Sequence, residues 1–261
     1  MSDASAILAA SDVRFAYRAG VEVLRGVHLA AAKGKFICLL GPNGSGKTTF
    51  LKLLLGVLSP ASGRIELEAK PLEQYSARAL AKKLAYVPQT PTSALNFPVR
   101  ELVLMGRYAH TGAMGLPSET DLQVARLAME MTESTDVADR TLEELSGGQA
   151  QCAMIARALA QQPGVCLLDE PTSHLDIRNQ LKIYRMMRRL ARDWGMAVVC
   201  VSHDINLAAR FADELMLMKR GAVIAAGGPA EVIQKNLLRE TYDVEIELIP
   251  TSDGPPIVRA H

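Results

Sequence analysis

One segment near the N-terminus constrains the fold more than any other part of the chain. An apolar run of strand length, Phe36–Leu40, leads into a glycine-rich turn that ends in Gly46-Lys47-Thr48. The residues that follow, 48–58, are apolar on nearly all sides, as expected of a helix buried beside a sheet. A strand, a tight turn and a buried helix in this order predict the first unit of a largely parallel α/β sheet.

The turn also indicates a phosphate site. It fits G-x-x-x-x-G-K-[ST] between a strand and a helix, which is the context that the pattern needs. Glycines let consecutive backbone N–H groups turn around phosphate oxygens, and the helix N-terminus adds partial positive charge. Lys47 is predicted to reach the β- and γ-phosphates and Thr48 to supply an oxygen to Mg²⁺. The alternative is a glycine turn that only caps a helix. The candidate nucleotide-binding residues are Gly41, Pro42, Asn43, Gly44, Ser45, Gly46, Lys47, Thr48 and Thr49.

A second apolar strand, Val165-Cys-Leu-Leu-Asp169-Glu170, ends in two carboxylates. Asp169 suits a Mg²⁺ site reached through water, and Glu170 is placed to polarise the attacking water as a general base. A solvated strand edge is the alternative. Beside a phosphate loop, the pair predicts Mg²⁺ binding and ATP hydrolysis.

The segment Leu145-Ser146-Gly147-Gly148-Gln149 precedes a predicted helix that continues to Gln161. A serine and two glycines at a helix start leave several N–H groups free for a second anion. Taken alone, the segment is a capped helix. Because one chain needs only one phosphate loop, a second anion site suggests the nucleotide of a partner.

These segments belong to a set of five motifs whose order resembles the ATPase subunits of ABC (ATP-binding cassette) machines. The set comprises the phosphate loop, Gln89 of YVPQ, LSGGQ at 145–149, LLDEPTSHLD at 167–176 and VSHD with His203. The resemblance covers nearly the whole chain. It implies an α/β P-loop NTPase (RecA-like) fold, with a mostly parallel sheet, an N-terminal antiparallel β portion and an inserted helical subdomain.

The predicted organisation is a single ABC ATPase domain over 1–261. Strand patterns alternate with helix patterns before and after the middle of the chain, whereas the middle shows only helix and loop patterns. The core is therefore expected at 1–89 and 163–261, and the helical subdomain with the LSGGQ motif at 90–162. The tail, 251–261, contains glycine and proline and is expected to be loose.

The resemblance also assigns roles to single residues. Tyr17 resembles the aromatic residue that stacks on adenine; a strand aromatic that only packs is the less favoured alternative. Gln89 resembles the glutamine that senses Mg²⁺ and the attacking water, and His203 the histidine that bonds the γ-phosphate. Asp176 resembles the aspartate of a loop that crosses between paired subunits.

A head-to-tail homodimer follows from the same resemblance. Two ATP molecules would lie between Lys47 and Thr48 of one subunit and the LSGGQ residues of the other. Closure would assemble each site and hydrolysis would release it.

Three further segments resemble the ATPase subunits for ferric siderophore, haem and cobalamin uptake, namely 97–108, 202–210 and 228–244. This implies a membrane permease, a substrate-binding protein reached through it, and a peripheral position on the cytoplasmic side of the inner membrane. Four residues depart from the family pattern: Ala150, Cys152, His174 and Asp243.

The charge pattern argues against a nucleic-acid-binding protein. Lys plus Arg number 29 and Asp plus Glu 28, so no global basic charge indicates a nucleic-acid partner. Four arginines of the predicted helix 180–194 are interpreted as the solvated face opposite an apolar stripe that includes Trp194. A soluble ABC ATPase of DNA repair or translation, which would carry tandem cassettes or basic extensions, is one alternative, and an exporter ATPase is another.

Overall fold

The computed structural model of the chain describes residues 6–18, 20–89, 97–111 and 116–261. The strands are β1 (Ala6–Arg18), β2 (Val21–Ala32), β3 (Phe36–Leu40), β4 (Ser62–Leu67), β5 (Lys70–Pro71), β6 (Leu84–Val87), β7 (Val165–Asp169), β8 (Ala197–Val201), β9 (Glu214–Lys219), β10 (Ala222–Gly227), β11 (Ile246–Ile249) and β12 (Ile257–Ala260). The α-helices are α1 (Lys47–Leu54), α2 (Ala77–Ala81), α3 (Val99–Leu104), α4 (Glu119–Met131), α5 (Gly147–Ala160), α6 (Ile177–Arg192), α7 (Ile205–Phe211), α8 (Pro229–Val232) and α9 (Lys235–Tyr242).

The central sheet has six strands in the order β10-β9-β3-β8-β7-β6. All neighbouring pairs are parallel except β9 and β10, which form an antiparallel hairpin. Every residue of β3, β7 and β8 is buried, because helices or the second sheet cover both faces. The mostly parallel α/β fold is therefore confirmed. Adjacent strands β3, β8 and β7 end at one edge, which brings the phosphate loop, His203 and Glu170 to the same edge.

A second, antiparallel sheet has the order β2-β1-β4-β5, as expected for the N-terminal portion. Helix α1 packs in the apolar cluster that joins this sheet to the central one. Phe50, Leu51, Leu53 and Leu54 are completely buried there, each contributing about 1.5–3 kcal/mol of apolar burial. The helix ends at Leu54, before the predicted boundary, because Gly56 takes a left-handed conformation two residues later.

Between 97 and 160 the described residues form α3, α4, α5 and short 3-10 turns. Helix α5 packs against both α3 and α4. Helix α4 begins after Ser118, whose hydroxyl and the Asp121 carboxylate form a capping box. The predicted start of the helical subdomain at 90 lies outside the described residues.

Two local predictions were wrong. The tail is not loose, because β12 pairs with β11 and the glycine and prolines form the connection between them. Trp194 is not part of the buried stripe of α6. The helix ends at Arg192, so Trp194 leaves its apolar face and is 56% exposed.

Candidate active site

The phosphate loop connects β3 to α1 and lines a cavity of about 310 Å³. Its residues 43–49, together with Val23 and Glu170, form the wall. Gly46 precedes the helix with a φ of 100°, a left-handed conformation that disfavours any side chain. The first N–H groups of α1 are therefore free at the N-terminal end of the helix, where anions bind.

The side chain of Lys47 is held at the base of this loop. It is 5% exposed, and its Nζ donates to the carbonyl oxygens of Gly41 at 2.7 Å and Pro42 at 3.0 Å. Burial lowers the pKa of the ammonium, while Glu170 and Asp169 act in the opposite direction. A cation that is bonded only to neutral carbonyls can exchange them for phosphate oxygens at little cost.

Asp169 ends β7 beside the start of α1. Its Oδ1 accepts from Thr48 Oγ1 at 3.1 Å, and its Oδ2 faces the hydroxyl of Tyr86 at 3.4 Å. Burial, opposed by the Thr48 hydrogen bond, raises the pKa of the carboxyl, and Glu170 raises it further. Burial, followed by the charge of Asp169, raises the pKa of Tyr86 to about 12. The Thr48 hydroxyl and the Asp169 carboxylate offer two oxygen ligands, and burial disfavours the charged form of that carboxylate. Both features fit a hard divalent cation.

Among the described residues, no group of three or more His, Cys, Asp or Glu side chains could hold a metal ion by itself.

Glu170 is the centre of a cluster of polar side chains. Its Oε2 accepts from Gln89 Nε2 at 2.7 Å and from Ser173 Oγ at 3.0 Å, and its Oε1 is hydrogen-bonded to Nε2 of His203. The backbone is left-handed here, with a φ of 46°, and the N–H of Glu170 donates to the carbonyl of Val201 on the neighbouring strand. The carboxylate is thereby fixed at the rim of the phosphate cavity.

Tyr17 lies near helix α1. Its ring meets Phe15 edge to face, with centroids 4.8 Å apart, and its hydroxyl is 3.2 Å from Oγ1 of Thr49. The side chain is 58% exposed, so an aromatic face is available to a ligand.

Comparison with known proteins identifies the family. The model of the family described as ABC transporter matches residues 24–173. The hemin import ATP-binding protein HmuV of Rhodopseudomonas palustris (strain HaA2) is 40% identical over 92% of this chain and 92% of its own length. The chain belongs to the ABC transporter family. It is therefore an ATP-binding and ATP-hydrolysing subunit, as the five motifs predict.

Other ABC proteins agree in sequence and in structure. The iron(3+)-hydroxamate import ATP-binding protein FhuC of Bacillus subtilis (strain 168) is 36% identical over 89% of this chain and 87% of its own length. A chain from a transporter described as of the metal-chelate type, in an inward-facing conformation, superposes with a TM-score of 0.85 at 29% identity, covering 98% of this chain and 97% of that one. A dimeric ABC cassette with ADP and Pi superposes with a TM-score of 0.75 at 29% identity, covering 85% of this chain and 98% of that one.

The ABC signature residues lie apart from the phosphate cavity of their own chain. None of Ser146, Gly147, Gly148 and Gln149 lines it. Ser146 caps α5, since its hydroxyl accepts the N–H of Gln149, and the Gln149 side chain accepts the N–H of Ser146. The start of α5 therefore forms no part of the wall of that cavity.

Asp176 caps α6 close to the signature residues. Its carboxylate accepts from the backbone N–H of Asn179 at 2.8 Å and from the Asn179 side chain at 3.0 Å. The Asn179 side chain in turn lies so close to Gly148 that a Cβ on that glycine would be 2.5 Å from Oδ1 of Asn179. The first turn of α6 and the signature helix are therefore closely packed.

The structure adds three site residues that the sequence analysis missed. Ser173 and Tyr86 contact the two adjacent carboxylates, and Asn179 joins Asp176 to Gly148. Ser173 follows Glu170 by three residues in a turn, which is a local signal. No local pattern indicates Tyr86 or Asn179.

Proposed function

We propose that this ABC ATPase drives uptake of a metal chelate, such as a ferric siderophore, haem or cobalamin, through a membrane permease. The support is the agreement of several relatives. FhuC is named for iron(3+)-hydroxamate import and HmuV for hemin import. A cobalamin import ATP-binding protein, BtuD of Halobacterium salinarum, is 37% identical over 87% of this chain, although the chain spans only 57% of that protein.

The catalytic proposal rests above all on the surroundings of Glu170. Its carboxylate lies at the rim of the phosphate cavity and is bonded to both Gln89 and His203. We assign Glu170 as the general base for the attacking water, His203 to the γ-phosphate, and Gln89 to the water and the metal. Lys47 would leave the carbonyls of the loop and neutralise the β- and γ-phosphates.

Mg²⁺ fits the oxygen pair of Thr48 and Asp169, with Asp169 acting through water and Gln89 as a further ligand. When bound, the ion would neutralise charge on the phosphate oxygens. The backbone N–H groups of 41–49 would hold the phosphates, and Tyr17 would stack on the adenine.

We further propose a head-to-tail homodimer. The signature residues and Asp176 lie outside the phosphate cavity of their own chain, so their free N–H groups suit the nucleotide of the partner subunit. Dimeric cassettes among the solved relatives support this arrangement.

The permease would contact the helical subdomain, which we propose to span 90–162 between the two core segments. Phe97 and Tyr108 there are 40% and 64% exposed, although both are large and apolar. In the described residues, no helix is long and apolar enough to span a bilayer. The proposed location is the cytoplasmic face of the cell membrane, with a substrate-binding protein acting through the permease and without nucleic acid.

The test is to copurify the chain with the permease of its source cell, reconstitute the complex in liposomes and measure ATP hydrolysis with loaded binding protein. We expect the loaded protein to stimulate turnover, and Tyr108→Asp to reduce the amount of complex. Leu127→Asp is the matched control, because Leu127 is similarly exposed on α4 but lies outside 97–108. A chain that never associates with a permease, or equal loss in both variants, would contradict the proposal.

A further inference from the structure

The C-terminal helix α9 ends against the base of the phosphate loop. Its last residues belong to the segment 228–244, to which neither the fold nor the proposed catalysis assigns a role. Gly41, the first loop residue, has a φ of 146°, and a Cβ there would collide with the carbonyl oxygen of Met218 at the end of β9. The base of the loop therefore packs directly on the strand that also holds α9.

Helix α9 is anchored firmly at this place. The Nζ of Lys219, next to Met218, donates to the backbone carbonyl of Glu240 and to Asp243 Oδ1 at 2.7 Å. Asp243 stands where the family pattern has glycine and adopts a left-handed φ of 56°. The ion pair with Lys219 holds Asp243 in this position, and it lowers the pKa of the Asp243 carboxyl. The last turn of α9 is thus fixed independently of the loop.

The C-terminal hairpin β11–β12 provides a second anchor. Asn206 of α7 exchanges two hydrogen bonds with the backbone of Val258, at 2.8 and 3.2 Å. Helix α7 directly follows His203, so the C-terminal segment is attached on both sides of the candidate site.

The side chain of Tyr242 extends from this anchored turn towards Gly41. Its ring packs on the main apolar core, and its hydroxyl oxygen is fully buried without a hydrogen-bond partner among the described residues. The polar group that faces the oxygen is the backbone N–H of Gly41, whose approach falls short of a full hydrogen bond. Burial raises the pKa of Tyr242 to about 12, and the Gly41 amide opposes the rise. A buried hydroxyl in this state is unfavourable until a partner reaches it.

We propose that Tyr242 is a positioning residue for ATP binding, which completes a hydrogen bond with the backbone of Gly41 when the phosphate loop holds its ligand. This inference rests on the proposed role of that loop. Lys47 Nζ donates to the carbonyl of Gly41 at 2.7 Å, so moving the ammonium to phosphate releases the peptide group that follows the Gly41 Cα. The peptide group that precedes this Cα carries the N–H facing the hydroxyl, and once the restraint on Gly41 is released it can shift towards Tyr242 and stabilise the ligand-bound loop. A tyrosine that merely fills space has no such preference for the ligand-bound form.

Tyr242→Phe tests the inference in the full-length chain, because it removes only the hydroxyl. We expect the Kd for ATP and the KM to rise by about three- to tenfold, the value of one net hydrogen bond, with kcat unchanged. The unfolding temperature of the nucleotide-free protein should not fall, since the hydroxyl makes no full hydrogen bond there. The matched control is Tyr75→Phe, whose hydroxyl bonds the carbonyl of Leu67 at 2.8 Å in the antiparallel sheet. It should lower the unfolding temperature and leave ATP affinity unchanged.

Lys47→Ala separates this inference from the proposed site. If Lys47→Ala loses ATP binding while Tyr242→Phe keeps the wild-type Kd, the role of Tyr242 is refuted and the site stands. If Lys47→Ala binds ATP as the wild type does, the phosphate site itself is refuted. An unfolding temperature that falls in Tyr242→Phe as far as in Tyr75→Phe would also overturn the inference.

Discussion

Replacing Glu170 with glutamine removes the proposed general base and preserves its surroundings. Gln89 and Ser173 both donate to Oε2, so a glutamine can keep its carbonyl oxygen on that side. Its amide group would then face Nε2 of His203, which can accept as the appropriate tautomer of a neutral imidazole. The substitution therefore leaves the hydrogen-bond network intact and withdraws only the capacity to take a proton.

The magnitude follows from that single loss. A positioned general base contributes about 10²- to 10⁴-fold to the rate, equivalent to about 3–5 kcal/mol of transition-state stabilisation. Binding should not weaken, because Glu170 is an anion at the rim of a cavity for phosphates. We expect a protein that binds ATP at least as well as the wild type, hydrolyses it at least a hundred times more slowly, and accumulates as an ATP-bound dimer.

The assay is phosphate release at saturating MgATP, combined with sedimentation in the presence and absence of ATP. Ser173→Ala is the control, because it removes one hydrogen bond to the same carboxylate but keeps the base. It should retain most of the turnover. Loss of a general base should leave at most about a hundredth of the wild-type rate. If Glu170→Gln keeps more than about a tenth of that rate, the assignment is wrong.

Two further substitutions test contacts in and near the helical part of the chain. Gly148→Ala would place a Cβ 2.5 Å from Oδ1 of Asn179. We expect sedimentation to show loss of the ATP-dependent dimer, while the ATP affinity of the monomer stays unchanged. A normal dimer would contradict the proposed interface. Arg107→Met leaves the buried carboxylate of Asp121 without its cation, because Nε of Arg107 lies 2.8 Å from Oδ1 of Asp121. Urea unfolding at pH 7 should show that the free energy of unfolding falls by about 3–5 kcal/mol. Hydrogen bonds from Ser118, followed by Arg107, lower the pKa of Asp121 to about 2, so stability from this group is present above its ordinary value of 3.8 and lost as pH falls through 2. The difference in unfolding free energy between the wild type and Arg107→Met should shrink as pH falls from 3.8 to about 2. A difference that does not change with pH would refute the explanation.

Most of the fold could be predicted from sequence because the signals are local. Apolar runs and glycine-rich turns identified β3, β7 and α5 with small errors at their ends. The tail was mispredicted because proline and glycine, read without tertiary context, do not distinguish a loose end from a connection between paired strands. Pairing with β11, which had no strand prediction of its own, decided the matter.

For the candidate site, sequence motifs named the residues but not their contacts. The roles of Lys47, Glu170 and His203 remain predictions, now with a geometry to test. The Arg107 ion pair is instructive. The segment 97–108 was noted only for its resemblance, yet the guanidinium bonds Asp121, the carbonyl of Ala160 at 2.7 Å and Gln162 at 3.0 Å, joining three parts of the helical region.

By itself, the sequence determined the family, the chemistry and the order of the elements, because a phosphate loop or a capped helix is specified by residues that are neighbours in the chain. Tertiary structure alone decided which distant side chains meet. Strand order β3-β8-β7 brings His203 to Glu170, and the packing of α9 on β9 brings Tyr242 to Gly41. Such contacts depend on how sheets and helices pack around one core, and no spacing along the chain encodes them.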